Sequence, residues 1–123
     1  MKKPSAAMIA RLDKERNIWL ASVRPNMKPH LVPVWFIWEK DAFFICIYSQ
    51  SVKFLNISQN TLVSMALEDG SSPVICEGLS QRLERPWPEK IVRQFKHKYD
   101  WDIQTDKDYD ELVRISPQKW LSW

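Results

Sequence analysis

The sequence predicts a mainly β protein with a few helices, folded as a small antiparallel barrel, and three observations carry that expectation. About six short runs rich in Val, Ile, Phe, Tyr and Trp are separated by turn-forming residues. Helical spacing is inserted between some of these runs, without the regular strand–helix alternation of a parallel sheet. Several runs are apolar on both faces: between His30 and Trp38, Val32, Val34 and Phe36 alternate with Leu31, Trp35 and Ile37. One face of such a strand fills a barrel, and the other needs a cover.

Taken in order, Ser5 after Pro4 caps a helix running to about Arg16, with Ala7, Met8, Leu12 and Ile9 available to its buried side. Ile18–Val23 is a strand, and Arg24–Lys28 is a turn with proline in a favoured corner position. That turn pairs the first strand antiparallel with the His30 strand. Glu39–Ala42 is a polar break, and Phe43–Tyr48 is a further strand. Ser51 then caps a helix carrying Phe54, Leu55 and Ile57, which ends at Asn60. Thr61–Leu67 and Pro73–Leu83 are strands, and Gly78 inside the second marks a bulge or bend. Pro86 to Pro88 is a stop, after which a helix runs from Pro88 to about Lys98 with Ile91, Val92 and Phe95 on one face. Tyr99–Glu111 is an acidic loop or short helix, Leu112–Ser116 a final strand, and Pro117–Trp123 a tail with two tryptophans.

Composition bounds the function. The 123 residues make a single domain, 1–123, able to bury roughly two-thirds of its unfolded surface. Eighteen basic residues stand against fifteen acidic ones, scattered along the chain, so no nucleic-acid footprint stands out. Cys46 and Cys76 both fall in strands and read as free buried thiols of a reduced, cytoplasmic protein. The amino-terminal stretch is amphipathic and unlike a secretion signal, and no apolar run is long enough to span a membrane.

The start of the Ser51 helix is the chemically suggestive place. A helix N-terminus offers unpaired N–H groups and partial positive charge, and Lys53 adds a cation where a lysine is ordinarily unfavourable. On these residues alone a solvated surface lysine beside an ordinary cap is the plainer explanation, and a bound anion is the alternative. Other chemistry finds less support. His30 and His97 lack zinc spacing, the aspartates between Asp100 and Asp110 lack the glycine and glutamate of a calcium loop, and nucleophile-elbow and phosphate-loop glycine motifs are absent. Lys90, Arg93, Lys96 and Lys98 give the third helix a basic face, and Trp87, Trp101, Trp120 and Trp123 are packing residues or ring-stacking candidates.

Arg24–Trp38, Tyr48–Lys53 with Asn56, Pro73–Gly78, Tyr99–Asp102, and Arg114–Pro117 with Trp123 together resemble the pyridoxamine 5′-phosphate oxidase-like superfamily, in the superfamily's order. The resemblance implies a six-stranded split barrel, a homodimer, and FMN in a groove between subunits. By position, Val32, Pro33, Val34, Trp35 and Phe36 would lie along the flavin ring, and Tyr48, Ser49, Ser51 and Lys53 would hold its phosphate. It also implies a flavin-dependent oxidoreductase. The alternatives are a non-catalytic flavin module, and a barrel for a deazaflavin, haem or another tetrapyrrole. Four positions depart from relatives that oxidise pyridoxamine phosphate. Val52 replaces the arginine of an Arg–Lys pair, Val32 and Ile37 replace basic residues at the ends of the flavin-facing strand, and Pro73 replaces a glutamine. Vitamin B6 oxidation is therefore not the expected activity, and no catalytic residue is named.

Overall fold

The computed structural model describes residues 3–121. Its elements run α1 (Ala6–Lys14), β1 (Asn17–Val23), β2 (Pro29–Trp35), β3 (Ile37–Glu39), β4 (Ala42–Ile47), α2 (Val52–Gln59), β5 (Leu62–Leu67), β6 (Ile75–Leu83), α3 (Glu89–Tyr99) and β7 (Glu111–Leu121). The seven strands form one antiparallel sheet in the order β2-β1-β5-β6-β7-β4-β3. Its two edge strands, β2 and β3, are separated in the chain by Phe36 alone. A sheet whose edges are one residue apart must curl until they meet, which produces the split barrel.

The expected single strand from His30 to Trp38 is thus divided in two, which turns six strands into seven. The cause is Tyr99 at the end of α3. The Phe36 N–H donates to the Tyr99 hydroxyl at 2.9 Å, and that hydroxyl lies 3.0 Å from the Phe36 carbonyl and 2.7 Å from that of Arg16. A side chain takes the backbone groups that would continue the ladder, so the chain changes pairing partner there.

The final strand also corrects expectation: β7 continues through Pro117 to Leu121. Pro117 is tolerated because it faces Gly78 at the register shift in β6, where a bulge leaves no ladder bond for its missing N–H to break. A Cβ on Gly78 would lie 2.8 Å from the Ser116 carbonyl oxygen, so this position requires glycine. Trp120 is buried edge-on against Trp38 instead of lying in a tail, while Trp123 lies outside the described residues.

Two apolar clusters result. The first fills the barrel with Ile18, Leu20, Phe36, Phe43, Met65 and Val113, closed by Leu12 of α1 and Ile57 of α2. The second lies on the opposite face of β3, β4 and β7, where Ile91, Phe95 and Tyr99 of α3 cover Ile37, Phe44, Cys46 and Leu112. Every residue of β4 is consequently buried. Among the described residues no helix covers the outer face of β2, β1, β5 and β6, and Trp19, Leu31, Trp35, Leu62 and Leu79 stand exposed there. Among the described residues no helix is long and apolar enough to cross a membrane.

Candidate functional site

The site forms where the barrel is split. β3 pairs with β4 only over Ala42–Phe44, so Ile45–Ile47 meets β7 on one side and no strand on the other. β2 likewise pairs with β1 alone. These two strand edges bound a cavity of about 640 Å³, lined by Pro33, Val34 and Trp35 of β2 and by Cys46 and Ile47 of β4. Its far wall comes from the end of α3 and the following loop, with Tyr99, Trp101, Asp106 and Tyr109. The size is ordinary for a small-molecule or cofactor site.

The far wall is a fixed aromatic ladder. Trp35 stacks on Tyr99 with ring centroids 4.5 Å apart, and Trp101 meets Trp35 edge-on at 5.8 Å and Tyr109 at 5.6 Å. The Trp101 indole N–H donates to Asp106 at 2.9 Å, and Asp106 also accepts from the Asp108 and Tyr109 N–H groups, which holds its carboxyl below the usual range. The Arg16 guanidinium lies 4.8 Å from the Tyr99 ring centroid. Burial pushes the Tyr99 hydroxyl up to about 12, so it stays protonated as a structural bridge. The Cys46 thiol donates to the Tyr109 carbonyl at 3.3 Å and is likewise raised by burial to about 12.

Lys53 supplies the cavity's cation. Ser51 caps α2, accepting from the Phe54 N–H at 3.3 Å and donating to the Tyr48 carbonyl at 2.6 Å. This fixes the first turn, from which the half-buried Lys53 reaches the cavity. Burial alone lowers its amine below the usual lysine range, and no ion pair among the described residues involves it.

Of the nine residues expected at a cofactor, Pro33, Val34, Trp35 and Lys53 come together on this cavity. Val32 packs against the barrel core, and Phe36 is fully buried with its N–H committed to Tyr99. Tyr48 is exposed. Ser49 gives both its N–H and its hydroxyl to the Asp110 carboxylate, at 2.8 Å each. Sequence reasoning missed Asp110 in that role, and missed Asn17, Cys46 and Ile47 as lining residues; an acidic loop gives no local signal of which aspartate turns inward. The basic face of α3 is mostly spent on acids: Lys90 pairs with Glu39, Arg93 with Glu89 and Lys96 with Asp100, while Lys98 turns inward to donate to the Phe36 carbonyl.

A family model described as pyridoxamine 5′-phosphate oxidase matches residues 5–123. The chain belongs to that family. Solved structures of the same fold include an F420 reductase, with a TM-score of 0.78 and 21% identity over 97% of this chain and 98% of that one. The heme storage protein HutZ of Vibrio cholerae also has a TM-score of 0.78, at 19% identity over 95% and 93% of the two chains. A conserved hypothetical protein of Mycobacterium tuberculosis matches at 25% identity and TM-score 0.78, over 98% of this chain and 85% of that one. A comparison with curated proteins finds no match. Family membership and these likenesses establish the split barrel; Lys53 and the aromatic wall are features of this chain's own geometry.

Proposed function

We propose that this pyridoxamine 5′-phosphate oxidase family member is an FMN-binding flavoprotein, a flavin-dependent oxidoreductase working as a homodimer. The observation that carries it is the half-buried Lys53, unpaired among the described residues, at one end of a cavity bounded by two open strand edges and an aromatic wall. A partly desolvated ammonium without a carboxylate suits the phosphate tail of a nucleotide, while Val34 and Trp35 suit its flat ring. The bound ring supplies electron transfer in this scheme. The chain binds and orients it, and the Trp35–Tyr99–Trp101 wall excludes water from one side. Asp106 keeps the Trp101 ring at a fixed angle.

A second copy completes the site. Pro33 and Trp35 belong both to the cavity and to the uncovered sheet face, so a partner seated on Trp19, Leu31 and Leu62 would also roof the cavity. That face is contiguous: Trp19 pairs with Pro33 and Ala66, Ala21 with Leu31 and Ser64, and Leu62 with Leu79.

Haem is the less favoured occupant. No histidine lines the cavity, and its Cys46 thiol is protonated and hydrogen-bonded, which makes it a poor axial ligand. The absorption spectrum of the purified protein tests the proposal. Oxidised flavin gives two bands in the near-ultraviolet and blue, a deazaflavin gives one in the violet, and haem gives a sharp Soret band. Lys53→Glu should strip the flavin, and unchanged flavin content in that variant would refute the assignment. Stopped-flow reduction of the loaded dimer by NAD(P)H then separates an oxidoreductase from a passive carrier.

A further inference from the structure

We infer that Trp35, Trp101, Tyr109 and Asp106, on the far wall of the cavity, form a subsite for an organic cation. The ligand class is a tertiary or quaternary alkylammonium head, carried by the substrate. Three rings make its sides. Trp101 stands at 73° to Trp35 and 87° to Tyr109, with centroids 5.8 Å and 5.6 Å away, and all three line the cavity. Rings that served packing alone would be buried, yet Trp35 is 43% and Tyr109 46% exposed. Rings crossed at such angles do not cover one another's faces by stacking, and a ring face is what an alkylammonium binds.

The charges on the lining agree. Of its two carboxylates, Asp100 is paired with Lys96 at 2.8 Å, whereas Asp106 belongs to no ion pair among the described residues. Asp106 is held by donors alone: Oδ2 accepts the Trp101 indole N–H, and Oδ1 accepts the Asp108 and Tyr109 N–H groups, each at 2.9 Å. These bonds fix an anion beside the rings, and of its about four acceptor sites one on Oδ2 stays free. That count selects the ligand. A primary ammonium has three N–H donors and would leave most of them unpaired against this wall, whereas a tertiary head has one and a quaternary head none. On the neighbouring rings the chain supplies its own cation, with the Arg16 guanidinium 4.8 Å from the Tyr99 centroid and 5.7 Å from that of Trp35. Neither Trp101 nor Tyr109 has one among the described residues. Lys53 lies at the other end of the cavity and repels a cation there, so the two ends sort ligands by sign.

This inference rests on the flavoprotein reading only for the cation's role as substrate; its binding is tested with and without flavin. The probes are choline and its uncharged isostere, in which a tert-butyl group replaces the trimethylammonium head. The readout is the Trp101 indole N–H resonance, picked out from those of seven tryptophans by its loss in Trp101→Phe. Choline should shift it saturably in the purified protein, with the isostere about tenfold weaker or more. Tyr109→Leu and Asp106→Asn should each weaken choline by about fivefold or more. Tyr109→Phe, which keeps the ring, should bind as the native chain does. The Tyr109 side chain is exposed, so its variants report on binding even where Asp106→Asn loosens the loop. Equal affinity for the two probes, or no saturable shift by either, would overturn the subsite whether or not FMN binds. A choline preference in a protein that takes up no FMN would keep the subsite and refute the flavoprotein reading.

Discussion

The two halves of the sheet's outer face are built from similar residues and meet different fates. Over β3, β4 and β7 the helix α3 lays Ile91, Phe95 and Tyr99 on the sheet, and Phe44, Cys46 and Leu112 are buried. Over β2, β1, β5 and β6 no element returns among the described residues, and Trp19, Leu31 and Leu62 remain exposed. Strands that read alike in sequence therefore differ in what they need: one half is finished within the chain, and the other presents an apolar surface typical of an interface. The cavity sits on the boundary between them.

The sharpest way to break this contrast is to damage the finished half. Phe95 is fully buried between α3 and the sheet, and Phe95→Ala should lower unfolding stability by about 3–5 kcal/mol in urea denaturation. A loss near that of a surface substitution would mean α3 is not part of the cooperative core. The bare half should answer differently. Leu31→Glu with Leu62→Glu changes residues 60% exposed, so the monomer's own stability should move by no more than about 0.5 kcal/mol each. The proposed dimer should nevertheless dissociate, as read by light scattering across a concentration series. An unchanged mass would show that the face is not where copies meet.

How much of this was legible in the sequence follows the same division. Strand and helix positions, the Ser51 cap and the Gly78 bulge were readable because each depends on neighbours a few residues away. The break at Phe36 was not, since its cause is a tyrosine 63 positions later that takes the strand's own N–H. Nor was the burial of Trp120, because Pro117 reads as a terminator unless the opposing bulge is known. Pro33, Val34 and Trp35, expected from the resemblance, and Lys53, singled out at the helix start, line the cavity. Asp110 meets the Ser49 loop only through tertiary structure, which no local pattern encodes.

The boundary itself offers a finer test. Tyr99→Phe keeps the ring stacked on Trp35 but removes the hydroxyl that serves Phe36 and Arg16. Leaving the buried Phe36 N–H without an acceptor should cost about 1–3 kcal/mol, with hydrogen exchange at Phe36 quickened beyond that of the rest of the barrel. A smaller loss with unchanged exchange would mean that β2 and β3 change partners for some other reason.

Lys98 offers a test that pH reads. Its amine donates to the Phe36 carbonyl at 3.1 Å and lies 4.0 Å from the Phe36 ring centroid, and burial lowers its pKa from the usual lysine value of 10.5 to about 8. Between those values the unfolded chain binds more protons than the folded one, so this group makes stability rise with pH. Below about pH 8 the cost of holding a charged ammonium in the seam is present in full; above it the amine sheds its proton and the cost fades. Lys98→Met carries no such titration, so any hydrogen bond it loses is a near-constant offset. The stability of the native chain relative to Lys98→Met should therefore climb between pH 8 and pH 10 in paired urea titrations. A flat difference would mean the amine is as well hydrated folded as unfolded, and that the seam between the finished and unfinished halves stands open to water.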